Sequence, residues 1–88
     1  MIARTVLYHG HVQGVGFRQT SLGIARAFAV NGYVKNLAGG TVEIRVEGDE
    51  LEVDRFLQAL SQRLAHRIDH VVTQPSVVEG FEHFTIQY

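Results

Sequence analysis

The stretch Gly10-His11-Val12-Gln13-Gly14-Val15-Gly16-Phe17-Arg18, GHVQGVGFR, separates a predicted strand from a predicted helix. Its three glycines can adopt positive φ or admit a close ligand, where a residue with a Cβ could not. Successive N–H groups of such a turn can form an anion site, to which the first turn of the following helix adds unpaired donors. Arg18 lies at that helix start, and its guanidinium can bind two phosphate or carboxylate oxygens at once. The stretch therefore predicts a phosphate-binding turn, although glycine-rich turns also serve packing alone.

The same stretch differs from the common nucleotide-binding motifs. No Gly-Lys-Ser/Thr follows it, and Gly14, Gly16 and Gln19 do not fit the dinucleotide pattern. ATP and NAD sites are therefore disfavoured. His9 and His11 lie two residues apart and could share one face, but no third ligand has a suitable spacing. We therefore predict neither a metal site nor a cofactor.

Composition limits the organisation and the class of the protein. The 88 residues suffice for one domain, residues 1–88, around one core. The absence of cysteine excludes disulfides, thiolate zinc sites and a cysteine nucleophile. A net charge of -1 provides no general attraction for nucleic acid. The sequence has neither a signal-peptide pattern nor a segment long enough to cross a bilayer, so we expect a cytoplasmic protein without membrane contact.

Hydrophobic periodicity predicts five strands and two helices. The predicted strands span residues 2–9, 33–36, 41–47, 68–73 and 81–88, and the predicted helices residues 18–30 and 50–65. Asn31-Gly32 is expected to end the first helix, and Asp49 to cap the second. In the third strand, Val42, Ile44 and Val46 are expected to be buried, whereas Glu43, Arg45 and Glu47 should face water.

This order predicts an α+β, ferredoxin-like β-α-β-β-α-β sandwich with an extra C-terminal strand. Its two helices should pack on one face of a mostly antiparallel sheet. In that arrangement the first strand is central, and Asn36, at the end of the second strand, could approach the glycine turn. Its carboxamide could orient a water molecule, while a turn-forming asparagine is the simpler alternative.

Three segments closely resemble the small acylphosphatases: VQGVGFR at residues 12–18, GYVKN at 32–36 and GTVE at 40–43. The similarity continues through Arg67-Ile68-Asp69 and Phe84-Thr85-Ile86, so it covers essentially the whole chain. Two departures are visible. His11 stands where the family more often has Arg or Lys, and Ala38-Gly39 replaces a more polar turn.

The resemblance implies hydrolysis of acyl phosphates to a carboxylate and inorganic phosphate, without metal or cofactor. It implies that Arg18 and Asn36 are catalytic, Arg18 by binding the phosphoryl group and Asn36 by positioning the attacking water. It further implies a phosphate-binding loop made of Val12, Gln13, Gly14, Val15, Gly16 and Phe17. The expected partner is a small-molecule acyl phosphate, and we expect a monomer that binds no nucleic acid.

The sequence places no His, Asp or Glu clearly beside Asn36. We therefore infer that the phosphate of the substrate accepts the proton of the attacking water. Two other functions stay open: a non-catalytic anion-binding module, like the acylphosphatase-like domains of larger carbamoyl-transfer proteins, and an RNA-binding sheet. The RNA-binding sheet would need exposed aromatic side chains and a basic surface, which the polar face of the third strand does not offer.

Overall fold

The fold is known from a computed structural model that describes all 88 residues, Met1–Tyr88. Its elements are β1 (Ile2–Gly10), α1 (Phe17–Ala25), β2 (Val30–Asn36), β3 (Val42–Gly48), α2 (Glu50–Arg63), β4 (Ile68–Ser76) and β5 (Phe84–Gln87). A short 3-10 turn, Ala65–Arg67, joins α2 to β4. The predicted ferredoxin-like sandwich with an extra C-terminal strand is confirmed.

The five strands form one sheet in the order β4-β1-β3-β2-β5. Every neighbouring pair is antiparallel except β2 and β5, which run parallel. The sheet is therefore mostly antiparallel, as predicted, and β1 is an interior strand. Because β4 and β5 occupy opposite edges, the segment that joins them has to cross the whole sheet.

The core lies between the two helices and one face of the sheet. α2 contributes an apolar face to this core, since Val53, Phe56 and Leu60 are fully buried. They pack in one cluster with sheet residues that include Ile44 and Val46. Neither helix has the length and apolar content that a membrane span requires.

The predicted end of the first helix is wrong. α1 stops at Ala25, and residues 26–29 form a turn closed by two bonds of the i to i−3 type, such as that from the Phe28 N–H to the Ala25 carbonyl. The apolar periodicity continues beyond the helix because the Phe28 ring contacts Phe56, with centroids 6.4 Å apart. Asn31-Gly32 consequently belongs to β2 and is not a helix cap.

Other boundaries differ by a few residues. β4 extends to Ser76 and includes Pro75, which is tolerated because β4 is an edge strand and needs no N–H on its outer side. β5 begins at Phe84, three residues later than predicted, and α2 ends at Arg63. Asp49 is the N-cap residue of α2, but its side chain makes no capping hydrogen bond.

Glu47 also departs from its prediction, because only 2% of it is exposed. The cause is the crossing segment, residues 77–83, which joins β4 to β5 over the face of the sheet that the helices leave uncovered. The Glu47 carboxylate accepts backbone N–H bonds from Gly80 at 3.0 Å, from Phe81 at 3.1 Å and from Glu79. The predicted polar face of β3 is therefore partly enclosed.

Candidate active site

The glycine-rich loop between β1 and α1 is fixed at both ends by the core. Val12 and Phe17 are buried, and the Phe17 ring packs on Tyr8 with centroids 5.1 Å apart. Val15 is partly buried against the same core. The segment between these anchors is therefore held as a defined turn at the start of α1.

Gly14 and Gly16 give this turn its conformation. Their φ angles are +75° and +79°, in the left-handed region that favours glycine, and Gly16 is the N-cap residue of α1. None of residues 13–16 donates a backbone–backbone hydrogen bond. The first N–H groups of a helix also lack intrahelical partners. The loop and the start of α1 thus offer a group of free N–H donors, which suits an anion.

Gly14, Gly16 and the start of α1 border a cleft of about 100 Å³. We call it the loop cleft, and it is lined by Val12, Gly14, Gly16, Phe17, Arg18, Gln19, Asn36, Ile86 and Tyr88. Arg18 comes from the first turn of α1 and Asn36 from the last residue of β2. Two residues that lie 18 positions apart in the sequence therefore share one small cavity.

The Arg18 side chain is half-buried and has no acidic partner. It is absent from all four ion pairs of the chain. Its guanidinium carbon lies 4.9 Å from the centroid of the Tyr88 ring, a cation–π contact. The N–H donors of Arg18 remain free for an anion in the cleft.

Asn36 carries an unusual polar atom. Its Oδ1 is buried and has no hydrogen-bond partner. An unsatisfied buried acceptor costs about 1–3 kcal/mol, so such atoms are rare unless a water molecule or a ligand completes them. Because Asn36 lines the loop cleft, a water molecule held there would complete this acceptor.

The predicted loop residues divide into two groups. Val12, Gly14, Gly16 and Phe17 line the cleft, whereas Gln13 and Val15 do not. The Gln13 side chain points instead to the turn between β2 and β3, where its Nε2 donates to two backbone carbonyls.

Sequence reasoning did not find Gln19, Ile86 and Tyr88 as cleft residues. Gln19 follows Arg18 directly. Ile86 reaches the cleft because β5 pairs in parallel with β2, with Val34 opposite Ile86. The alternating apolar residues near the C-terminus were the available signal for a strand, but they do not specify its neighbour.

Arg18 and Tyr88 are the only residues of the cleft with titratable side chains, so no His, Asp or Glu lines it. His11 is exposed, and the His9 ring stacks on His70 with centroids 4.1 Å apart, as cross-strand neighbours. No three His, Asp or Glu side chains are grouped so that they could hold a metal ion. The donors of the cleft therefore come from Arg18, the Tyr88 hydroxyl, the loop amides and the carboxamides of Gln19 and Asn36.

Comparison with known proteins assigns the chain to a family, since the family model described as Acylphosphatase matches residues 4–86. The chain belongs to the acylphosphatase family. It is 39% identical to the acylphosphatase of Archaeoglobus fulgidus over the full length of both proteins. It is 42% identical to the acylphosphatase of Deinococcus radiodurans, with 93% of this chain and 95% of the relative covered.

Solved structures of acylphosphatases have the same fold. The crystal structure of the acylphosphatase from Bacillus subtilis superposes with a TM-score of 0.90 at 31% identity, covering all of both chains. Full-length HypF in a phosphate- and nucleotide-bound form gives a TM-score of 0.85 at 29% identity; it covers 99% of this chain but only 12% of HypF. Membership of the acylphosphatase family supports hydrolysis of a small-molecule acyl phosphate.

Proposed function

We propose that this chain is a single-domain, metal-independent acylphosphatase whose loop cleft binds the phosphoryl group and is the active site. The observation that carries the proposal is that Arg18, Asn36 and the free amides of the glycine loop border one cavity. The polar groups that line it are those needed to bind a phosphoryl group and to orient water.

In this proposal the phosphoryl group of the substrate occupies the loop. The N–H groups of Gly14, of Gly16 and of the first turn of α1 donate to its oxygens, and the guanidinium of Arg18 binds two of them at once. Phosphoryl transfer through a loose transition state depends mainly on such positioning and charge stabilisation. No acidic side chain lines the cleft, so the positive charge of Arg18 is not neutralised there.

Asn36 is proposed to hold the attacking water. The buried Oδ1 accepts a hydrogen bond from this water. A lone pair of the water oxygen then points at the phosphorus. The new bond forms between the water oxygen and phosphorus, while the bond from phosphorus to the acyl oxygen breaks and its electron pair leaves with the carboxylate. The proton of the water passes to a phosphoryl oxygen. A carboxylate is a good leaving group, so the cleft needs no general acid.

The proposal is tested by phosphate release from benzoyl phosphate. Arg18→Ala should lower kcat/KM by about 10³-fold or more, because it removes the charge that stabilises the phosphoryl oxygens. Asn36→Ala should lower kcat by about 10²-fold or more, because the water loses its orientation. Matched controls are Arg26→Ala, exposed at the end of the same helix, and Asn31→Ala in the same strand.

The outcomes separate catalysis from loss of fold. Far-UV circular dichroism should be the same for all four variants, and both controls should keep the activity of the parent chain. Activity should also survive a metal chelator, because the cleft offers neither a carboxylate nor an imidazole ligand. Full activity of either cleft variant, or loss of activity on chelation, would contradict the proposal.

A non-catalytic anion-binding module is the second candidate, favoured by the likeness to a small part of HypF. The same assay distinguishes it, because such a module would bind inorganic phosphate without turnover. RNA binding through the sheet has less support. The crossing segment covers part of the face it would use, where Arg45 donates to the carbonyl of Val77 and Glu47 accepts three amides.

A further inference from the structure

The Gln13 side chain connects the glycine loop to the turn that follows Asn36. Its Nε2 donates to the carbonyl oxygen of Leu37 at 2.7 Å and to that of Thr41 at 2.9 Å. One carboxamide nitrogen thus uses both of its hydrogens. The Thr41 oxygen also accepts from the Leu37 N–H at 2.8 Å. Gln13 therefore fixes both ends of this turn to the loop.

The contact lies beside Asn36. Leu37 follows Asn36 directly, and Asn36 forms the last residue pair of the β2–β3 ladder with Val42. The Oδ1 of Asn36 has no partner that would hold its side chain. No other hydrogen bond joins residues 12–16 to β2, β3 or their turn. The distance from the loop to Asn36 consequently depends on Gln13 and on packing of the loop anchors.

We propose that Gln13 is a positioning residue, which holds Asn36 and its water at a fixed distance from the phosphoryl group in the loop. This inference rests on the proposed function. It concerns the Gln13 side chain, which points to the turn after Asn36 and does not line the cleft. A displacement of about 1 Å in a reacting geometry can cost about 10²-fold in rate.

The test compares Gln13→Ala with Gln58→Ala, an exposed glutamine on α2. The measurements are kcat and KM for benzoyl phosphate, the inhibition constant of inorganic phosphate, and the Tm. We expect Gln13→Ala to lower kcat by about tenfold to a hundredfold. The phosphate inhibition constant should not change, because Arg18 and the loop amides are still present. Gln58→Ala should match the parent chain in every measurement.

Two results would overturn the inference. Weaker inhibition by phosphate in Gln13→Ala would mean that Gln13 contacts the anion itself. An unchanged kcat with a lowered Tm would mean that the two hydrogen bonds only stabilise the fold. The proposed function fails separately, if Arg18→Ala or Asn36→Ala retains full activity.

A second variant keeps the test decisive if Gln13→Ala does not fold. Gln13→Asn retains the carboxamide but is one methylene too short to reach both carbonyl oxygens. It should show the same pattern, a lowered kcat with an unchanged phosphate inhibition constant. A kcat equal to that of the parent chain in folded Gln13→Asn would contradict the positioning role.

Discussion

The Glu47 carboxylate shows how one residue can hold two parts of the sheet together. Burial alone would raise its pKa, but backbone N–H donors from Glu79, Phe81 and Gly80 and the nearby Arg45 guanidinium outweigh that effect. The pKa of Glu47 therefore lies below its ordinary value. The ionised form is favoured in the folded chain, where it binds the crossing segment to β3.

We predict that Glu47→Gln lowers the free energy of unfolding at pH 7 by about 1–3 kcal/mol. The carboxamide keeps one acceptor oxygen but directs N–H hydrogens at backbone donors that Glu47 had satisfied. Urea denaturation measures the change. Glu82→Gln, an exposed glutamate of the crossing segment, should leave stability unchanged.

The same residue predicts an acid dependence. A carboxyl with a lowered folded pKa stabilises the fold fully above its unfolded pKa, about 4.3 for Glu. That contribution disappears as the pH falls through the lowered folded value. The free energy of unfolding of the parent chain should therefore decrease below about pH 4.3, more steeply than that of Glu47→Gln. Equal slopes for the two proteins in that range would contradict the assignment.

For single residues, the sequence identified candidate site residues better than it identified their contacts. Arg18 and Asn36 could be named as site candidates because a glycine turn, a helix start and a strand end are local features. The contacts of Gln13 with Leu37 and Thr41 bridge 24 and 28 positions, and those of Glu47 bridge 32 to 34. Such contacts depend on the tertiary arrangement, which hydrophobic periodicity does not specify.

At the level of elements, β2 explains why the first helix was predicted too long. Its residues Asn31 and Gly32 have the composition of a helix cap, but Gly32 faces Val46 in the ladder. A Cβ built on Gly32 would lie 1.8 Å from the Arg45 carbonyl oxygen. Glycine is required here for close strand approach, and sequence alone does not distinguish this need from that of a cap.

We therefore predict that Gly32→Ala prevents stable folding, because the clash involves backbone atoms that cannot rotate away. Gly39→Ala is the matched control. Gly39 also has a positive φ, +90°, but no atom lies within 4 Å of its added Cβ. The control should lose only about 1–3 kcal/mol of stability, from backbone strain. Circular dichroism and urea denaturation distinguish the two, and equal stabilities would contradict the role of close packing at Gly32.

For the whole molecule, the order of strands and helices was sufficient to predict the fold. The position of β5 was not predictable, since a four-residue strand with apolar Phe84 and Ile86 could pair at either edge. Its parallel pairing with β2 brings the C-terminal residues to α1, where Ile86 and Tyr88 complete the loop cleft. The proposed site thus combines residues from both ends of the chain. A ligand that binds there should therefore stabilise the entire fold.

The coupling between ligand binding and folding gives a prediction for the stability of the chain. A ligand that binds only the folded state stabilises it by about 2.7 kcal/mol at a concentration 100 times its Kd. For a chain of this length, inorganic phosphate at that concentration should raise the Tm by roughly 10–20 °C relative to chloride at equal ionic strength. Arg18→Ala should lose most of this shift, because its guanidinium is the only cationic group lining the cleft. Asn36→Ala, whose proposed role is to hold water, and the control Arg26→Ala should both retain it. A full phosphate shift in Arg18→Ala would place the anion elsewhere on the molecule.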